Sequence, residues 1–321
     1  MSDFERRRVL VIGGFGFIGV NLTERLRGLG ARVTVATRSV VRHAAAAADA
    51  ESRGTCVVEA DLRDAMAMKA AVAGQDVVFN LAGQSGAVRS MEDPFTDLDV
   101  NCRGNLVLLE ALREENRSAK LVFVSSRLTY GRVGPDPVTE DHQPSPTCVH
   151  ALHKLAVEQY LHVYGRVYGL ACTTARLTNP YGPGQPTERT AYGVVNRMIH
   201  QALAGALIPV YGDGRQRRDY IYIDDAVAAL VEMARSPVST GRTYNVGSGV
   251  GTPLVDMART IAMIAGGGIE MVRWPALAER IETGDFVADI GLIRRDLGWE
   301  PKVPLAEGLE RTVAFYRAHA A

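Results

Sequence analysis

The chain has 321 residues, 47% of them hydrophobic, enough to bury a sizeable core as one large or two closely joined domains. Its 36 basic residues balance 36 acidic ones, which excludes a global field steering it to nucleic acid or an anionic membrane, so a ligand must be recognised locally. No apolar run is long enough to span a bilayer, Met1 to Arg8 is unlike an export signal, and the four scattered cysteines (Cys56, Cys102, Cys148, Cys172) lack CxxC or metal-ligand spacing; reduced thiols, a cytoplasmic protein and no metal are expected.

The first predicted element is the apolar strand Val9 to Ile12. It runs into Gly13, Gly14, Phe15, Gly16, Phe17, Ile18 and Gly19, and then into Val20, Leu22, Leu26 and Leu29 at helical spacing. In such a strand, turn and helix, Gly13 permits the bend, Gly16 lets the backbone approach a pyrophosphate, and Gly19 allows close packing of helix on strand. Phe17 and Ile18 open the helix whose free amides face the phosphates. The same glycines could serve a merely structural turn, but their place after a buried strand favours a dinucleotide.

The second strand, Val33 to Ala36, ends in Thr37 and Arg38, where a carboxylate would accompany a free ribose 2′-hydroxyl. A guanidinium suits a 2′-phosphate, so the cofactor is NAD or NADP with NADP somewhat favoured, although an arginine closing a surface strand is often only solvated. The Ala44 to Ala48 tract reads as a small exposed helix. Asp61 and Leu62, after the strand Cys56 to Glu59, are placed to meet the adenine; Leu81 and Ala82, after Val77 to Asn80, are placed along the cofactor. With Leu121 to Ser125 and Ala171 to Arg176 the alternation predicts an α/β fold, a doubly wound parallel sheet with helices on both faces. Segments 132–147 and 179–191, rich in Pro, Gly and Thr, read as loops at the carboxyl edge of the sheet, where ligands bind.

The chemistry-bearing residues follow. The strand Leu121 to Val124 ends in Ser125 and Ser126, a hydroxyl at a strand terminus beside the expected nicotinamide. Thirty residues on, His150 and Lys154 stand one helical turn apart on one face and act as a unit. Taken singly, Lys154 reads as a solvated helix lysine and Ser126 as a hydroxyl bonded to backbone.

Ten segments together carry a resemblance: GGFGFIG at 13–19, DLRD at 61–64, LAG at 81–83, DVNCRGNLVLLEA at 99–111, VSSRLTYG at 124–131, HKLAVEQY at 153–160, RLTNPYGP at 176–183, VYGDGRQRRDYIYIDD at 210–225, YNVGSG at 244–249 and DLGWEP at 296–301. Nearly end to end, the chain resembles the extended short-chain dehydrogenase/reductases of the nucleotide-sugar epimerase and dehydratase type. The resemblance implies a Rossmann-type NAD(P)-binding domain over 1–177 and a smaller C-terminal nucleotide-sugar-binding lobe over 178–321, with 243–246 returning to the Rossmann sheet. It makes Ser126 the hydroxyl bonded to the sugar oxygen and Lys154 the holder of the nicotinamide ribose, which also lowers the pKa of its acid/base neighbour. Asn101 supports the site, Asn179 and Arg218 contact the nucleotide diphosphate, and Tyr211 lies near the base. A homodimer is expected through helices spanning about 95–115 and 151–168.

Three departures matter. The YxxxK motif of the family reads His150, Ala151, Leu152, His153, Lys154, with histidine in place of tyrosine. Arg127 and Leu128 follow Ser126 where the dehydratases carry an Asp-Glu pair, which argues against water elimination at C5 and C6. Glu282 stands where the family has an arginine two residues before Gly284 and Asp285, with Arg280 as a possible stand-in. Imidazole is already largely neutral near pH 7, and positive neighbours would keep His150 a base without strong activation. Its reach is shorter than a phenol's, so a water, Ser126 or a shifted sugar must bridge the gap; Tyr130 and Tyr181 are the alternative phenols, and a site that has lost its acid/base group is the bland reading. The expected activity is 4-epimerisation of a nucleoside-diphosphate sugar through a 4-keto intermediate. The alternatives are an NADPH-dependent 4-ketoreductase and a catalytically weakened binder of NADP or nucleotide sugar.

Overall fold

The computed structural model describes residues 4–185 and 193–319. The first half alternates strand and helix: β1 (Arg8–Ile12), α1 (Phe17–Gly28), β2 (Arg32–Thr37), α2 (Ala44–Ser52), β3 (Cys56–Glu59), α3 (Ala65–Val72) and β4 (Val77–Asn80). Two short helices, α4 (Ala87–Glu92) and α5 (Pro94–Asp97), then run through one π-helical turn, Leu98–Arg103, into α6 (Gly104–Glu115). After β5 (Lys120–Ser126) and a 3₁₀ turn over Arg127–Tyr130 come the long α7 (Val149–Tyr168) and β6 (Cys172–Leu177). The remainder holds β7 (Asn179–Tyr181), α8 (Val194–Leu203), β8 (Ile208–Tyr211), β9 (Arg217–Tyr222), α9 (Ile223–Arg235), β10 (Thr243–Val246), β11 (Gly251–Pro253) and α10 (Leu254–Ala265). It ends with β12 (Ile269–Val272), α11 (Ala276–Ile281), α12 (Gly291–Leu297) and α13 (Leu305–Ala318).

Seven strands form one parallel sheet in the order β10-β6-β5-β4-β1-β2-β3. Because side chains alternate along a strand, each strand feeds two cores. Val9, Val11, Val122 and Val124 pack on one face, and Leu10, Ile12, Leu121 and Phe123 on the other. The predicted doubly wound parallel sheet is therefore the observed one. The order turns back between β1 and β4, and there the glycine turn after β1 opens a crevice.

The later elements build a three-stranded sheet (β11-β9-β7) and a two-stranded one (β12-β8), while β10 pairs with the main sheet beside β6, Thr243 opposite Thr174. Segment 132–147 carries no helix or strand. The loop expected over 179–191 is corrected at its start: Asn179–Tyr181 is strand, held by Tyr220 to Tyr222 of β9, whose register an isolated sequence window cannot reveal; 186–191 lies outside the described residues. The alanine tract is helical within α2, with Ala47 its buried residue.

One ionic link ties α7 to the sheet. Glu158 accepts Arg176 Nη2 at 2.6 Å and Nε at 3.1 Å, takes the Ser125 hydroxyl as well, and both charged residues are buried. The Arg176 guanidinium also lies 4.6 Å from the Tyr130 ring centroid. Removing one member leaves the other charged and dry, which is why breaking such a pair is costly. Glu158→Leu should therefore destabilise the fold by about 3–5 kcal/mol, read as a lower midpoint in urea; a loss within about 0.5 kcal/mol, the range of ordinary surface substitutions, would remove the pair from the forces holding α7.

Candidate functional site

The glycine turn is built as a cradle. At Gly13 (φ +81°) an added Cβ would stand 2.9 Å from Ala82 N, and at Gly19 it would stand 2.5 Å from the Gly13 carbonyl oxygen. These two glycines are required by the protein's own packing. Gly16 is different: an added Cβ there would meet only the Gly13 oxygen, at 3.3 Å, so the surface above it is open to close approach. Gly16 also caps α1 with no side-chain hydrogen bond, leaving the first amides of the helix, around Phe17 and Ile18, for an anion. The residues present thus fit a pyrophosphate.

Leu81 and Ala82 sit beside this turn, Leu81 N donating to the Ile12 carbonyl at 3.0 Å and Ala82 N to Asn80 Oδ1 at 3.1 Å. Arg38 lies exposed just beyond β2. Asp61 is engaged by Arg63, whose Nε and Nη2 meet its two oxygens at 3.0 and 2.7 Å, and these hydrogen bonds hold its carboxyl below the usual range despite partial burial. Leu62 is buried, its side chain packed against Gly104.

α7 brings the acid/base candidates to this crevice. Its helix turns a polar stripe inward: His150, Lys154 and Glu158 are all buried. Lys154 Nζ donates to the Val124 carbonyl at 2.9 Å and lies 4.7 Å from the Phe123 ring, next to the end of β5 that carries Ser126. Burial pushes its ammonium down to about 8, only partly offset by the charges of Asp97 and Glu158. An added Cβ on Gly83 would stand 3.7 Å from that Nζ, so lysine, cofactor turn and strand end converge. Ser126 Oγ accepts Leu128 N at 3.2 Å and is half-buried.

His150 sits on a network that starts in the sheet. Asn80 at the end of β4 donates to Asn105 Oδ1 at 2.7 Å, and Asn105 donates to the Asn101 carbonyl at 2.7 Å. Asn101 pairs twice with the Gln84 backbone, at 3.0 and 2.9 Å, and its Nδ2 lies 3.4 Å from His150 Nδ1. The π-helical turn makes this possible, since it places Asn101 inward between α5 and α6. His150 N donates to Ser90 Oγ at 2.9 Å.

Sequence reasoning counted only cations around His150, and the structure corrects this. Asp97, at the end of α5 and wholly buried, takes His153 Nδ1 at 2.7 Å on one oxygen, while its other oxygen lies 3.6 Å from His150 Nδ1. Burial alone would raise that carboxyl, but the polar groups of His150, Asn101 and His153 hold it below the ordinary range.

The alternative phenols are committed elsewhere. Tyr130 donates to Asn245 Oδ1 at 2.7 Å and burial pushes it up to about 12; Tyr181 donates to the Leu305 carbonyl at 3.2 Å and is likewise raised by burial.

At the far side, Asn179 Nδ2 donates to the Asp219 carbonyl at 2.8 Å, and the buried Arg218 grips the Glu282 carboxylate and the Gly284 carbonyl. Arg127, buried beside them, donates to Thr283 Oγ1 at 3.1 Å and lies 5.4 Å from the Phe286 ring. Burial, then the neighbouring Arg218, works against its charge. Tyr211 packs its ring 5.2 Å from Trp274, which together with Arg132, Glu279 and Glu282 lines a cleft of about 370 Å³. The sequence reading missed Arg127 and Trp274 as members of this region. No described helix is long and apolar enough to cross a membrane.

Comparison with known proteins agrees with this architecture. The chain is 34% identical over 316 residues to a UDP-glucose 4-epimerase of Mycolicibacterium smegmatis, covering 97% of this chain and 98% of that one. It is 30% identical over 322 residues to a dTDP-glucose 4,6-dehydratase of Streptomyces niveus, covering 97% and 93%. Among solved structures it is similar to Thermus thermophilus UDP-glucose 4-epimerase in complex with NAD, with a TM-score of 0.85, 32% identity and coverage of 97% and 99%. The model of the NAD dependent epimerase/dehydratase family matches residues 9–247. With that match over a dinucleotide cradle and a sheet of the same fold, the chain belongs to the NAD dependent epimerase/dehydratase family of enzymes.

Proposed function

We propose that the protein is a 4-epimerase of a nucleoside-diphosphate sugar working through a transient 4-keto sugar. The observation that carries this reading is Lys154: a buried ammonium that donates to a strand-end carbonyl, with its pKa depressed, beside the dinucleotide cradle. Such a group destabilises an empty protein and is explained by the ribose hydroxyls it would hold. The UDP-glucose 4-epimerase relative and the NAD-bound structure support the substrate class and the cofactor.

In this reading residues 1–177 hold the cofactor and 178–321 the nucleotide sugar, with 243–246 back in the main sheet. When bound, the nicotinamide supplies reversible hydride acceptance at the sugar carbon. Ser126 hydrogen-bonds the reacting sugar oxygen, and His150 takes the hydroxyl proton and later returns it. Gly13, Gly16 and Gly19 with Phe17 and Ile18 face the pyrophosphate, Leu81 and Ala82 lie along the cofactor, and the Asp61–Leu62 backbone borders the adenine. Asn179 and Arg218, joined by Arg127, meet the diphosphate in place of the contact that Glu282 cannot supply, and the base lies against Tyr211. Arg127 and Leu128 after Ser126 count against the dehydratase reaction, which needs carboxyl groups there to move protons. Exposed Leu152, Val163 and Val167 on α7 support a homodimer through that helix.

One observation favours a second reading. Arg38 rather than a carboxylate follows β2, which suits NADPH and hence a one-way 4-ketoreductase. Purified protein incubated with UDP-glucose, UDP-glucuronate and dTDP-sugars, a dTDP-4-keto sugar among them as the hydride acceptor, separates the two. Isomer formed without added cofactor is the expected result; turnover only with NADPH makes it the reductase, and binding without turnover makes it a sensor.

His150→Ala should lower kcat by about 10²- to 10⁴-fold, while His150→Tyr should retain or raise turnover; an unchanged rate in His150→Ala removes His150 from the mechanism. Lys154→Ala should weaken cofactor retention. Lys154→Met should stabilise the cofactor-free protein by about 1–2 kcal/mol at pH 7. The folded pKa lies near 8 and the unfolded one at 10.5, so the folded chain bears the cost of a buried charge below about 8. The gain should shrink as pH rises from 8 toward 10.5, and thermal midpoints of both proteins across that range check it.

A further inference from the structure

The least expected polar contact in the site is the one between α5 and α7. Asp97 is wholly buried, and its Oδ1 takes His153 Nδ1 at 2.7 Å. Among the described residues its Oδ2 has no hydrogen-bond partner; His150 Nδ1 lies 3.6 Å from it, and Asn101 also acts on the carboxylate. Two histidines three apart on one helix thus share a single carboxylate. The ionisable groups that share this corner with His150 are Asp97 from α5, Cys102 of the π-helical turn, which feels Asp97 and Lys154, Cys148 just before α7, and His153 and Lys154 within it.

The ring has two neutral tautomers, and the contacts to Nδ1 decide between them. A proton on Nδ1 would face the Asp97 carboxylate, whose Oδ2 at 3.6 Å is within ion-pair range and becomes a hydrogen-bond acceptor on a small closure. A bare Nδ1 would accept the second N–H of Asn101 Nδ2 at 3.4 Å, a long contact to a neutral acceptor, while the first N–H donates to the Gln84 carbonyl at 2.9 Å. Hydrogen bonds to a charged acceptor are roughly twice as strong as neutral ones. A buried carboxylate oxygen left bare is also costly, whereas the second Asn101 N–H, which also acts on Asp97, can turn to that carboxylate when Nδ1 is protonated. The Nδ1–H tautomer therefore wins, and the lone pair sits on Nε2, on the opposite edge of the ring from Asp97 and Asn101.

We propose that Asp97 is a positioning residue for the acid/base step: its carboxylate fixes the proton of His150 on Nδ1 and leaves Nε2 to take the proton of the sugar hydroxyl. This rests on His150 being the base, as put forward above. In the step the O–H bond breaks with its electron pair staying on oxygen, an N–H bond forms at Nε2, and the resulting imidazolium donates through Nδ1 to Asp97. On the return the proton goes back to oxygen. The same logic orients the imidazole in triads of serine, histidine and aspartate, where an aspartate holds the tautomer and stabilises the charged ring.

The test uses the intact protein labelled with ¹⁵N-histidine, with His150→Tyr used to assign the His150 signals. Long-range proton–nitrogen correlation spectra should show His150 as Nδ1–H, and Asp97→Asn should move it to Nε2–H. In turnover, Asp97→Asn should lower kcat by about 10- to 100-fold with KM changed less than about threefold. In the His150→Tyr background the same substitution should cost less than about twofold, because a phenol has no tautomer to fix. An Nε2–H tautomer in the unmutated protein overturns the proposal, and does so even if Asp97→Asn does not fold. Equal losses of kcat in both backgrounds also overturn it, since they would mean that Asp97 only holds His153. If the unmutated protein turns over no nucleotide sugar but shows Nδ1–H, the epimerase reading falls while the positioning of His150 by Asp97 stands.

Discussion

The site depends on α7 presenting charge to the interior where a surface helix would present only apolar side chains. His150, Lys154 and Glu158, at intervals of four, are all buried. Burying such groups is unfavourable unless each meets a partner, so the surrounding elements are constrained to supply one. Glu158 meets Arg176 of β6 and Ser125 of β5, Lys154 meets the end of β5, and His150 meets Asp97 and the asparagines behind it. The π-helical turn is part of the same constraint, because it carries Asn101 inward between two helices that would otherwise run on as one.

Much of this was legible in the sequence, for reasons that differ by element. The parallel sheet was legible because β1 and β4 are continuous apolar runs and the glycines after β1 have few other uses. His150 and Lys154 were legible because helical spacing alone places them together. Asp97 was not, since a wholly buried carboxylate contacting residues some fifty positions away is fixed by tertiary packing, and nothing in its local composition sets it apart from Asp99, which pairs with Arg63 and Arg103 at the surface. β7 was lost for a similar reason: Asn179, Pro180 and Tyr181 have turn-like composition and become a strand only through their register with β9.

Around Arg218, a departure from the family pattern changes which charged groups meet. Glu282 stands where an arginine would be expected, and its carboxylate is held by Arg218, the residue read as a diphosphate contact. That contact occupies a guanidinium in the ligand-free protein and ties the segment around Gly284 to β9. Arg127, donated by the strand end next to Ser126, brings a second guanidinium to the same neighbourhood. The two buried guanidiniums share this region with the carboxylates of Glu282 and Asp219, both of which favour the cationic form of Arg127.

Replacing a phenol by an imidazole changes what the surroundings must do. A phenol has one acidic oxygen and needs its pKa lowered, which the neighbouring lysine and a positively charged ring would provide. An imidazole needs no such lowering, but it has two nitrogens, and the wrong tautomer presents a proton where a lone pair is required. A cation such as Lys154 does not discriminate between the nitrogens; an anion on one edge of the ring does. Asp97 lies on that edge, bonded to His153 on one side and open to His150 on the other. The histidine at position 150 is therefore better understood with its carboxylate than as an isolated substitution in an otherwise unchanged site.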